Sequence, residues 1–155
     1  MLDLYEELRA LVTSLADRRI DYALCGGLAM AVHGIPRATV DIDLVVLAEA
    51  IDQVKDLAQR LGFAMEAGPR RFREGAVEIH RLSKPDPESE DFVSLDLLVV
   101  TPLLREVWDS REVVAWEGAP LRVVSRAGLV ILKSLRGSGQ DRDDIARLQE
   151  GADED

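Results

Sequence analysis

The sequence predicts an α/β chain of the α+β type, a mixed sheet flanked by helices. Apolar residues recur at helical spacing in some segments, as at Leu4, Leu8, Leu11 and Leu15. Others, TVDIDLVVL and FVSLDLLVV, alternate or run apolar over strand length. Hairpin patterns then crowd the later part of the chain.

Taken in order, residues 2–17 read as an amphipathic helix. IDYALCGG begins as a short strand and ends on Gly26-Gly27. LAMAVHG reads as a short apolar helix, with Gly34 as its C′ residue and Pro36 as a stop just beyond. In TVDIDLVVL, Val40, Ile42, Leu44 and Val46 face one way, and Asp41, Asp43, Val45 and Leu47 the other. AEAIDQVKDLAQRLGF buries Ile51, Val54, Ala58 and Leu61 and stops at Gly62. Two or three short strands fill Phe63 to Ser83, turning near REGA, and KPDPESED is a proline-broken loop. FVSLDLLVV is a buried strand carrying Asp96. Pro102 opens a short helix at its N1 position. A hairpin turns at Glu117-Gly118, Ser125 caps RAGLVILKSLR, GSG interrupts, and QDRDDIARLQE forms the last helix.

Composition sets the outer bounds. The 155 residues, 47% apolar and 31% charged, fit one domain over residues 1–150 with an acidic tail at 151–155. No apolar run is long enough to cross a membrane, and the charged N-terminus is unlike a signal peptide. The single cysteine, Cys25, forms no internal disulfide, and a reducing cytoplasm is expected. A net charge of −10 opposes passive nucleic-acid binding. Arg70, Arg71, Arg73 and Arg81 form either a local basic patch or, the reading favoured here, a solvated hairpin surface.

Two features break local rules within twenty residues. Asp41 and Asp43 sit two apart on a strand, so their carboxylates share a face, roughly 6–7 Å apart along the backbone. They repel unless a cation lies between them, and a hard divalent ion prefers oxygen ligands. A bare Asp-x-Asp is more often a solvated strand end. Here the opposite face is wholly apolar, which pins the register. Gly26-Gly27 stands between strand and helix, where a phosphate can approach the backbone closely. Alone, a Gly-Gly corner is most often just a tight turn. Together the features fit nucleotidyl transfer from a nucleoside triphosphate (NTP).

GG…DIDL resembles the signature of the nucleotidyltransferase superfamily with the DNA-polymerase-β-like palm. The longer GGLAMAVHGIPRATVDIDL, with LRVVSRAGLVILKSLRGSGQDRDDIARL, most resembles the AbiEii-like group of toxin–antitoxin and phage-defence proteins, over roughly residues 20–150. The resemblance implies that Asp41, Asp43 and Asp96 are catalytic and bind Mg²⁺ or Mn²⁺, with Asp96 deprotonating the acceptor. It implies that Gly26 and Gly27 hold the β- and γ-phosphates. Arg37 reaches either a triphosphate oxygen or an aspartate, and Thr39 offers a hydroxyl nearby. Lys133 follows a buried run, so it requires a phosphate or a carboxylate partner. Asp141 and Asp144 share a helix face and are read as structural.

His33 is read as helix-terminal rather than substrate-binding, Trp108 and Trp116 as packing, and Cys25 as buried and inert. The expected partners are an NTP, an RNA 3′ end, protein or small-molecule acceptor, and a cognate toxin or antitoxin, with no membrane. The alternative function is a nucleotide- or partner-binding protein that keeps the palm as scaffold, with little catalysis.

Overall fold

Apolar periodicity sets the elements, and short-range capping sets where they begin. In a computed structural model, which describes residues 2–36, 38–136 and 139–153, helix α1 spans Leu4–Asp17. Asp3 caps it by accepting from the backbone N–H groups of Tyr5 and Glu6, satisfying donors that the first turn leaves open. Its stripe of Leu8, Leu11, Val12 and Leu15 is buried.

Strand β1 (Ala23–Cys25) runs directly into helix α2 (Gly26–Val32), so the two glycines form the first turn of the helix rather than precede it. Strand β2 (Asp41–Leu47) follows, then helix α3 (Ile51–Arg60). Strands β3 (Met65–Glu66), β4 (Arg70–Phe72) and β5 (Val77–Pro85) fill the stretch expected to hold two or three strands. Strand β6 (Phe92–Val100) carries Asp96. Pro102 opens a single 3₁₀ turn that leads into helix α4 (Arg105–Asp109). Strands β7 (Glu112–Trp116) and β8 (Ala119–Val123) form the expected hairpin. Both central turn residues, Glu117 and Gly118, have positive φ, the geometry that matches strand twist in a two-residue turn.

Helix α5 (Arg126–Arg136) is capped by Ser125 Oγ, which accepts from Gly128 N at 3.0 Å. The last helix, α6 (Gly139–Asp153), runs three residues past the expected end at Glu150 into the acidic tail. The interruption at Gly137 and Ser138 lies outside the described residues.

The sheet is mixed, in the order β3-β5-β6-β2-β1-β8-β7, with β4 also pairing with β5. β2 lies parallel to β6 and antiparallel to β1. Ile42, Leu44 and Val46 are fully buried, as the alternation requires, and Val45 on the aspartate face is buried too. Val40, expected on the apolar face, precedes the strand and is 67% exposed. α1 packs against α3 and β2, α2 against β1 and β2, and α5 against α4 and α6. Among the described residues no helix is long and apolar enough to cross a membrane.

Candidate functional site

The alternation that buries Ile42 and Leu44 leaves Asp41 and Asp43 together on the other face of β2. The parallel register with β6 then sets Asp43 directly opposite Asp96, and Asp41 opposite Ser94. On the other side of β2, the antiparallel register sets Cys25 opposite Asp43, so the glycine corner begins one residue beyond that pair. Three carboxylates from two strands and one corner therefore border a single cavity of about 550 Å³. Gly27, Thr39, Lys133 and Arg81 also line it.

Gly26 fits against Asp43 because it has no side chain. Its φ is +70°, and a Cβ there would lie 2.8 Å from Asp43 Cγ and closer still to Oδ2. Gly27 abuts Thr39, with 3.1 Å left between a hypothetical Cβ and the threonine Cβ. Thr39 Oγ1 accepts from Asp41 N at 3.2 Å and so shapes the entry to β2. Arg37 lies outside the described residues.

Burial and the nearby charge of Asp96 raise the Asp41 carboxyl above its ordinary range, while Arg81 pulls it back. Burial, together with Asp43 and Asp96, pushes the Cys25 thiol well up, so it stays protonated and inert. This donor set, carboxylate oxygens held close enough to repel, suits a hard divalent cation. Among the described residues, no three His, Cys, Asp or Glu side chains gather closely enough to hold one ion between them. Asp96 is engaged elsewhere. It accepts from Arg81 Nε at 2.7 Å and from Nη2 at 2.8 Å.

The arginines divide: Arg70, Arg71 and Arg73 are exposed, as the reading of a solvated hairpin surface has it, and Arg81, half-buried against Asp96, is the exception. Arg71 does face outward, pairing with Glu78 at 2.6 Å. Arg70, Arg73 and Arg81 line the cavity. Alternation along β4 puts Arg70 and Phe72 on the cavity side, a signal already present in the sequence. The Arg81–Asp96 pair had no such signal, because it depends on the β5–β6 register.

Of the two partners open to Lys133, the carboxylate is present. Its Nζ lies 3.1 Å from Asp144 Oδ2 and 3.4 Å from Asp141 Oδ1, and all three residues are buried. The aspartates are thus structural partners of the lysine, as their shared helix face suggested. His33 Nε2 lies 2.9 Å from Val124 O, away from the cavity lining. Trp108 is buried under the Arg111 guanidinium, and Trp116 stands under Arg9.

The family model described as nucleotidyl transferase AbiEii toxin, type IV toxin–antitoxin system, matches residues 9–133. The chain belongs to this family. This nucleotidyltransferase also shares its fold with solved structures of low sequence identity. A Thermotoga maritima protein described as a nucleotidyltransferase, TM1012, superposes with a TM-score of 0.63 at 13% identity, covering 94% of this chain and 92% of that one. The antibiotic-resistance factor ANT(2'')-Ia gives 0.64 at 13%, covering 92% and 80%. The lincosamide antibiotic adenylyltransferase LnuA gives 0.59 at 17%, covering 93% and 95%. No curated protein matches the chain in sequence. The AbiEii nucleotidyltransferase is thus an α/β transferase with the polymerase-β-like architecture its motifs implied.

Proposed function

We propose that this nucleotidyltransferase moves a nucleoside monophosphate from an NTP to an acceptor hydroxyl, with Mg²⁺ or Mn²⁺ bound and pyrophosphate released. The observation that carries the reading is the pairing of Asp43 with Asp96 across β2 and β6, beside a glycine corner pressed against Asp43. Asp41 and Asp43, with Asp96, would hold the cation together with phosphate oxygens. When bound, that ion supplies charge neutralisation for the triphosphate and activation of the acceptor oxygen.

The chain's own groups do the rest. Gly26 and Gly27 let the β- and γ-phosphates approach the backbone, with Thr39 beside them. Arg37 and Lys133 are proposed as further phosphate contacts, Lys133 from its place on the cavity wall. The acceptor oxygen attacks the α-phosphorus in line, the bond to the β-phosphate oxygen breaks, and the acceptor proton passes to Asp96.

Arg70 and Arg73 beside Phe72 offer the chemistry for a phosphate-bearing acceptor with a ring to stack. An RNA 3′ end is therefore the acceptor we place first, with a toxin–antitoxin setting following from the family. The related fold in LnuA, an antibiotic adenylyltransferase, makes a small-molecule hydroxyl the second reading. The test is to incubate the protein with each labelled NTP, Mg²⁺ or Mn²⁺, and a cell extract. Label on RNA supports the first acceptor and label on a small molecule the second. No label on RNA, protein or small molecule from a folded chain overturns the reading.

A further inference from the structure

Two charged groups of the cavity hold each other rather than the space between them. Arg81 on β5 and Asp96 on β6 are register partners. Both carboxylate oxygens of Asp96 are engaged by one guanidinium, at 2.7 and 2.8 Å, in the planar two-pronged geometry that makes such pairs strong. The Asp96 side chain is 11% exposed and that of Arg81 is 37% exposed. The acid is therefore the fixed member, and the arginine is the one with room to move. Arg81 also lies in the field of Asp41 and Asp43. An arginine does not deprotonate in a protein, so the pair is not opened by loss of the guanidinium's proton. A competing anion can.

We propose that Arg81 is a positioning residue that stands in for a cation at Asp96 until the phosphates of a nucleotide draw it away. The inference rests on reading Asp41, Asp43 and Asp96 as the cation-binding carboxylates. While Arg81 holds Asp96, it cancels one of the three negative charges and covers the oxygens that a cation or an acceptor proton needs. A triphosphate entering the same cavity offers the guanidinium a more highly charged partner with matching geometry. Nucleotide arrival and release of Asp96 are then one event, so the third carboxylate becomes available only when there is a phosphoryl group to transfer.

The test is Mn²⁺ binding to the nucleotide-free full chain, read from the electron paramagnetic resonance signal of unbound Mn²⁺. Arg81→Gln is expected to bind Mn²⁺ about tenfold more tightly than wild type, since a positive charge leaves and Asp96 is released. Arg81→Lys keeps the charge but loses the two-pronged contact, and falls between. Arg81→Gln with Asp96→Asn should lose the gain that Arg81→Gln alone brings. In the transfer assay, Arg81→Gln should raise KM for the NTP more than it lowers kcat.

Unchanged or weaker Mn²⁺ binding in a folded Arg81→Gln chain overturns the proposal. If that variant fails to fold, Arg81→Lys carries the same comparison, and binding equal to wild type overturns it. Asp43→Asn separates the two levels. If it leaves Mn²⁺ binding intact, the carboxylate reading itself fails. If it abolishes binding while the Arg81 variants match wild type, only the role of Arg81 fails.

Discussion

Gly26 and Asp43 meet where a side chain on the first would occupy the carboxylate of the second. Gly26 also adopts a φ of +70°, which L side chains rarely accept. Gly26→Ala therefore carries two costs, strain and displacement of Asp43. We expect a loss of about 1–3 kcal/mol in stability and loss of nucleotide transfer. Gly27→Ala meets only the side chain of Thr39, at 3.1 Å, and should cost much less in both. Urea denaturation and the transfer assay on both variants check the contrast, and equal effects would refute it.

Asp43→Asn keeps the size of the side chain and removes a charge from a crowded acidic cluster. Transfer should fall by about 100-fold or more, as for loss of a group that stabilises the reacting charges. The melting temperature in metal-free buffer should hold or rise, because repulsion is relieved. A parallel fall in melting temperature would instead mark Asp43 as a structural residue.

The raised pKa of Asp41 gives a signed pH dependence. Its folded value lies above the model-peptide value of 3.8 through burial and the charge of Asp96. Between the two values the native state holds more of that proton than the unfolded chain. Stability from this group therefore falls as pH rises through the window. In the presence of a chelator, Asp41→Asn should gain on wild type as pH climbs from about the unfolded value through the raised folded one. Urea midpoints for both proteins across that range measure it, and a constant difference would contradict the raised value.

Lys133 holds two buried aspartates, at 3.1 and 3.4 Å. Lys133→Met leaves both carboxylates buried without the ammonium, and should cost about 3–5 kcal/mol. Adding Asp141→Asn and Asp144→Asn to that variant should restore part of the loss, because the buried charges leave with their partner. Denaturation midpoints of the two variants decide it. No recovery in the triple variant would mean the aspartates are held by other contacts.

Periodicity made most of the elements legible. Leu8, Leu11 and Leu15 mark α1, the Ile42–Leu44–Val46 face marks β2, and Glu117-Gly118 marks the late hairpin. Each is a local signal, set within one turn or one strand. The Asp43–Asp96 juxtaposition was anticipated from motif resemblance, since nothing local states that β2 and β6 are neighbours. The role of Arg81 is not legible in the sequence, because it depends on which residue of β6 it faces, a fact of register between strands. Glycine disfavours helix interiors, so local propensity puts the start of α2 past the two glycines. At a first turn it is tolerated, and here Asp43 leaves no space for anything larger.

The spacing between Asp43 and Asp96 is fixed by strand register, not by the length of chain that joins them. The turn at residues 86–91, between β5 and β6, lies a few positions from Ser94, which faces Asp41. Lengthening that turn costs little entropy and leaves the ladder untouched. Extra segments grafted there would leave the two carboxylates at the distance the ladder gives them. Diversification of what such a scaffold modifies can proceed by insertion, while its chemistry stays where the ladder put it.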